Sequence, residues 1–523
     1  MKNKLIYLSL IALGLTACEP EFENEVTADS YSSGEADFTT YVAVGNSLTA
    51  GYMDGTVFKS GQQNSFPNLL AKQFSIVGGG HFSQPSFADD ANDLGGLLFN
   101  GQPIQGFPTR MAILMTAESS GPVNLSGTPS IEVSDLQQTA YNNMGVPGAK
   151  SFHLVVPGYG NIAALATGRA NPYFVRHATS PQATVLEDAM SLEPTFFTNW
   201  IGSNDVLSYA ISGGVGVNQA GNIDVTTYGS NDITDPQVFA SAYATIIDGL
   251  TVNGAKGVVM TIPSVTSIPY FTTVPYNPIT AEQLGGAPVV DALNEQFGQL
   301  QQVLAAFGQA ERLQLYSKTA ANPVLIQDKS LVDLSQQITA VLQSIPNFPP
   351  EQAQLMGTLY GQARHATAGD LFTLPASGVI GQIDLTLPAP YNVLGVTYPL
   401  VDDLVLIPSE QQEISEATMQ FNQIIRGIAQ AKGLAVADMN DILGQLVYGL
   451  RTADGQIYTA DYFRGIGNLN TVLFSLDGVH PNARGYAFVA NEIIKVINRH
   501  YKAHLPLLNV AEYPGPKIIT SNN

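Results

Sequence analysis

The chain has 523 residues, 45% of them hydrophobic, enough apolar material for a large core. Its one cysteine excludes an internal disulfide framework. A formal net charge of −21 argues against nucleic acid or an anionic lipid surface as a binding partner, because both repel an acidic surface.

Residues 1–17 read as a signal peptide. Lys2 and Lys4 precede the apolar run "LIYLSLIALGL", which is too short for a comfortable membrane span. The run ends in "LTAC", which resembles a bacterial lipobox. That resemblance implies cleavage before Cys18 and attachment of lipid to it, so that several acyl chains hold the protein to a membrane. The plainer alternative is a secreted protein with a stray cysteine. Residues 18–37 are acidic and poor in apolar groups, the composition of a flexible tether. An acidic run directly after a lipidated cysteine resembles the export signal of surface-exposed lipoproteins. The expected location is the outer membrane, facing the cell surface or the periplasm.

Residues 38–271 are read as the first part of a catalytic core. "TYVAVGNSLTAGY" is a buried strand broken at Gly45, with a helix starting after Ser47. "FPNLLAKQF" (66–74) fits an amphipathic helix, and residues 78–140 form a long irregular excursion rich in Gly, Ser, Pro and Asn. "NNMGVPGAKSFHLV" (142–155) reads as a glycine turn opening into a helix. "TFFTNWI" is a second strand, with "GSND" as the turn at its carboxyl end. Residues 235–271 then give helix, glycine stop and strand.

Residues 272–410 break the alternation. Three helical stretches (280–308, 330–345 and 350–366) read as an inserted, largely helical subdomain or lid, or equally as an ordinary part of one enlarged domain. Its apolar stretches "VVDALNEQFGQLQQVLAAF" and "YNVLGVTYPL" are candidates for an acyl pocket, or simply for core. Residues 411–510 resume helix, Gly433, strand "LAVADM" and a closing amphipathic helix, and 511–523 form a tail. Strands alternating with helices predict an α/β fold with a parallel, doubly wound sheet, and such sheets bind ligands outside the carboxyl ends of their strands.

Four separated segments resemble, in order, the motifs of the SGNH or GDSL-like serine hydrolases: "GNSLTAGY", "NMGVPGAKS", "GSND" and "DGVHP". The resemblance runs from about residue 41 to about residue 500. It implies a three-layer α/β/α sandwich of the flavodoxin-like SGNH type and a serine esterase acting on acylated glycans, lipids or short-acyl esters. It also implies roles. Ser47 is the nucleophile, His480 the base and Asp477 its orienting carboxylate. The oxyanion donors are the N–H groups of Ser47 and Gly148 and the side-chain amide of Asn204. The chemistry suits these residue types: a serine hydroxyl needs a base, and a tetrahedral intermediate needs uncharged donors close to it. One departure stands beside the nucleophile, where Asn46 occupies the place of the family's usual aspartate.

Plainer readings exist for each residue. Ser47 suits a helix cap. His480 suits a loop preceding a helix, and Asp205 suits a local cap or hydrogen bond beside Asn204. His500 and His504 are spaced as on one helix face, but no carboxylate follows at a matching position, so neither a metal nor any other cofactor is expected. The alternative function is a surface lipoprotein that binds glycan or lipid on a hydrolase scaffold without catalysis.

Overall fold

In the computed structural model the central element is a five-stranded, all-parallel sheet. Its strands in chain order are β1 (Tyr41–Gly45), β2 (Asn143–Gly145), β3 (Phe196–Trp200), β4 (Lys256–Met260) and β5 (Ala435–Ala437), arranged β5-β4-β3-β1-β2. The structure describes residues 30–85, 90–116, 120–451, 456–459, 469 and 471–520. The expected signal peptide, Cys18 and most of the tether lie outside the described residues. Every residue of β1 and β3 is buried, which explains their near-continuous apolar sequences: a parallel strand between helices has no wet face.

Nine helices matter to the description: α1 (Ser47–Ala50), α2 (Phe66–Ser75), α3 (Asn204–Ile211), α4 (Pro236–Thr251), α5 (Ala287–Ala305), α6 (Ser335–Gln343), α7 (Pro350–Tyr360), α8 (Pro408–Lys432) and α9 (Ala483–His500). α9 packs on α2, β4 and β5 through Tyr486, Ala490, Ile493 and Ile497, which recur at helical spacing and are fully buried. Asn482 caps it by accepting from the Gly485 N–H at 2.9 Å. α4 and α8 pack on each other, with Phe239 stacked on Phe421 at a centroid distance of 4.2 Å. α8 stops at Gly433, whose φ of +65° is the left-handed cap that glycine adopts without strain.

Residues 142–155 differ from expectation. Asn143–Gly145 is an edge strand rather than part of a turn, and the following helix is a single 3-10 turn, Ser151–Leu154. The strand is too short to show alternation, and tertiary bonds hold it: Asn143 donates from Nδ2 to the Thr49 carbonyl at 3.0 Å. The excursion at 78–140 also contains order. Met111–Met115 pairs antiparallel with Ser120–Asn124 and parallel with Ile518–Thr520, so the tail contributes a strand. At the other end, the last residues of the expected tether are pinned. Glu35 donates its N–H to the Tyr501 carbonyl at 2.7 Å, and Ser32 bridges His504.

Residues between β4 and α8 build their own hydrophobic cluster from α5, α6, α7 and two short strand pairs, with Val290, Phe297, Leu304, Ile338 and Tyr360 at its centre. The two stretches considered for an acyl pocket contribute mainly to that cluster.

Candidate active site

Three adjacent parallel strands end level with one another: Gly45 of β1 lies opposite Gly145 of β2 and Trp200 of β3. Ser47, Gly148 and Asn204 each follow one of these ends within four residues, so the sheet register gathers them on one edge. The strand-end glycines let α1 lie close to the sheet. A Cβ on Gly45 would sit 2.2 Å from Thr49 Oγ1, and one on Gly145 would sit 2.2 Å from the Ala50 nitrogen. Asn46 is the N-cap of α1, its Oδ1 accepting from the Leu48 N–H at 3.1 Å. Its Nδ2 is buried without a partner among the described residues.

The carboxyl-terminal motif closes on this edge. His480 Nε2 lies 2.8 Å from Ser47 Oγ, across 433 positions of sequence. His480 Nδ1 lies 3.0 Å from Asp477 Oδ2. An ionised carboxylate only accepts, so the imidazole proton belongs on Nδ1 and Nε2 is left to accept from the Ser47 hydroxyl. Oδ1 of Asp477 takes the N–H groups of Val479 and His480, both at 2.8 Å. Burial pushes the Asp477 carboxyl up, but the adjacent His480 and these N–H donors outweigh it and hold the group below the usual carboxylate range. The site is sheltered: Ser47 is 6% exposed, and the Asp477 and His480 side chains are 12% exposed.

The three donor positions carry unused hydrogens. Among the described residues, neither the Ser47 N–H nor the Gly148 N–H has an acceptor in the chain. Asn204 spends one amide hydrogen on the Ala149 carbonyl at 2.9 Å and keeps the other. Gly148 has φ +80° and exposed backbone; it borders the site on the turn beside Ala149 but does not line the cavity under Ser47. Asp205 does not cap its own helix. Its carboxylate takes the Ser151 N–H at 2.8 Å and hydroxyl at 2.7 Å, and burial raises its pKa despite these bonds. Asn204 and Asp205 therefore fasten the start of α3 to the turn that carries Gly148.

The segment leaving α1, Gly51–Thr56, also holds the His480 loop, and sequence reasoning did not single it out. The Tyr52 ring packs on the His480 imidazole at a centroid distance of 4.6 Å. Tyr486 fixes Tyr52 by donating to its carbonyl at 2.7 Å. The Asp54 N–H donates to Ser475 Oγ at 3.0 Å, Asp54 Oδ1 takes the Leu476 N–H at 3.0 Å, and the Gly55 N–H donates to Asp477 Oδ2 at 3.2 Å. Burial raises the Asp54 carboxyl to about 7; the Leu476 N–H and Arg110 oppose the rise and the Asp477 charge adds to it. The Asp-Gly dipeptide was a visible turn signal, but its partner lies more than 400 residues away.

An apolar cavity of about 50 Å³ opens beside Ser47 and His480. No residue of 272–410 lines it. Leu374 of that segment instead flanks Gly478 on the outside of the loop, next to Tyr270, whose N–H donates to the Gly478 carbonyl at 2.9 Å. Among the described residues no group of three or more His, Cys, Asp or Glu is arranged to hold a metal, and no helix is long and apolar enough to cross a membrane. His500 faces the Gly433 carbonyl at 3.2 Å, and His504 pairs with Ser32. Compared with family models, curated proteins and solved structures, the chain matches none of them.

Proposed function

We propose that the chain is a serine hydrolase of carboxylic esters, of the SGNH or GDSL-like type. The observation that carries this reading is the continuous contact from Ser47 Oγ to His480 Nε2 at 2.8 Å and from His480 Nδ1 to Asp477 Oδ2 at 3.0 Å. The strand order, which reverses direction at β1 and β3 where Ser47 and Asn204 emerge, agrees with a three-layer sandwich of that type.

In this mechanism His480 takes the Ser47 proton as Oγ attacks the ester carbonyl carbon. The resulting oxyanion is received by the Ser47 and Gly148 N–H groups and the free Asn204 amide hydrogen, each donor worth about 3–4 kcal/mol of barrier. His480 then passes its proton to the departing alcohol, leaving an acyl-Ser47 ester. A water, deprotonated by His480, releases the carboxylic acid and restores Ser47. Asp477 holds the imidazole orientation and stabilises its protonated form. Lipid attachment at Cys18 would hold this chemistry at the outer membrane.

Turnover of p-nitrophenyl acetate by the full chain, with and without Ser47→Ala, tests the reading. The wild type should hydrolyse it, and Ser47→Ala should lose at least about 10³-fold in kcat. Equal inertness of both proteins toward short and long acyl esters and acetylated glycans would favour the alternative, a non-catalytic glycan- or lipid-binding lipoprotein.

A further inference from the structure

The cavity beside Ser47 restricts what the acyl group can be. Its wall is made by side chains of several elements, among them Leu207 of α3, Val265 after β4, Leu446, Leu473, and Phe488 and Val489 of α9. Among the described residues, the lining side chains with hydrogen-bonding groups are Ser47, Ser203, Asn204 and His480, which belong to the reacting end or adjoin it. Ser203 Oγ is buried without a partner among the described residues. A sugar ring would strand its hydroxyls against this wall, at a cost of about 1–3 kcal/mol for each one left unpaired. An alkyl chain loses nothing by entering, since each buried methylene is favourable.

We infer that this cavity binds the acyl chain of the substrate, an aliphatic chain longer than acetyl. The retained group is the acyl one. It is bonded to Ser47 Oγ from the end of the first half-reaction until water releases it in the second, whereas the alcohol departs with the His480 proton and needs an open route.

The inference rests on the ester-hydrolase reading for its chemistry, and two measurements on the full chain separate them. The first is kcat/KM for p-nitrophenyl acetate, butyrate, octanoate and palmitate, in which the alcohol is constant. The second is calorimetric binding of octanoate. The ratio of octanoate to acetate kcat/KM should be at least tenfold, with a gain of up to about fourfold per added methylene until the cavity is filled, and palmitate should fall below octanoate. Val265→Phe should lower that ratio at least tenfold and weaken octanoate binding. Hydrolysis of acetate and octanoate at equal kcat/KM, with no octanoate binding, would overturn the cavity assignment and leave the hydrolase reading standing. Octanoate binding that Val265→Phe removes, with no turnover of any ester, would support the cavity and sink the hydrolase reading. Selectivity that follows alcohol length at fixed acetate would also overturn it.

Discussion

The Gly55 N–H donates to Asp477 Oδ2 at 3.2 Å, and in return the Leu476 N–H donates to Asp54 Oδ1 at 3.0 Å. Two carboxylates from distant segments thus each hold the other's backbone. The same six-residue stretch that leaves Ser47's helix also supports the imidazole through Tyr52. One short piece of chain thus ties the Ser47 helix directly to the His480 loop.

This clasp has a pH signature. Asp54 is raised from 3.8 to about 7 in the fold, so the native state binds a proton there that the unfolded chain releases above about pH 4. Stability from this group is therefore lost as pH rises from about 4 to about 7, by an amount on the order of 3 kcal/mol. Asp54→Asn keeps the acceptor for Leu476 and carries no titration. Urea unfolding at pH 4.5 and pH 7.5 should show the wild type losing more stability than Asp54→Asn across that interval. Parallel losses in the two proteins would refute the assignment.

Asp477→Asn should act on kcat. Oδ1 takes two backbone N–H groups, so an asparagine keeps its oxygen there and turns its NH₂ toward His480 Nδ1 and the Gly55 N–H. That sets donor against donor at Gly55 and moves the imidazole proton to Nε2, where it can no longer accept from Ser47. A fall in kcat of about 10³–10⁴-fold, with KM little changed, is expected from steady-state kinetics on the preferred ester.

Glycine at the strand ends should prove indispensable to the fold. Gly45→Ala places a methyl 2.2 Å from Thr49 Oγ1 and 2.5 Å from the Trp200 carbonyl oxygen, and Gly145→Ala meets the α1 backbone at 2.2 Å. Each change should cost about 1–3 kcal/mol or more, because backbone must shift to make room. Gly254→Ala is a useful contrast. A Cβ there meets nothing within 4 Å, so its cost is that of a positive φ alone. Thermal unfolding of the three variants should place both strand-end substitutions below the control.

Ser47, Asn204, Asp477 and His480 were legible as a group because each sits in a short local motif at a strand end or helix start. The buried strands β1 and β3 were legible for a related reason: continuous apolar runs bounded by glycine leave few alternatives. What escaped was decided between distant segments. Asp54 and Tyr52 gain meaning only from Leu476 and His480, β2 only from pairing with β1, and Ile518–Thr520 only from Met111–Met115. Asp205 illustrates the same limit, since its partner is Ser151 rather than its own helix.

Gly478 joins the insert to the chemistry, and its substitution should separate rate from binding. It lies between Asp477 and Val479 with φ +73°, and its carbonyl takes the Tyr270 N–H at 2.9 Å. A Cβ there would approach the Tyr270 nitrogen to 3.1 Å and Leu374 Cδ2 to 3.2 Å. Gly478→Ala therefore adds a left-handed penalty of about 1–2 kcal/mol and presses the loop away from the Tyr270–Leu374 wall. The loop carries both the Val479 N–H that fixes Asp477 and the imidazole itself, whereas α3 and most of the apolar wall stay in place. Expected is a drop in kcat of about tenfold or more with KM for the preferred ester nearly unchanged. Leu374→Ala, which removes one of the two obstructions, should restore part of the lost kcat in the double variant. A double variant no faster than Gly478→Ala alone would place the defect in backbone strain rather than in contact with the insert.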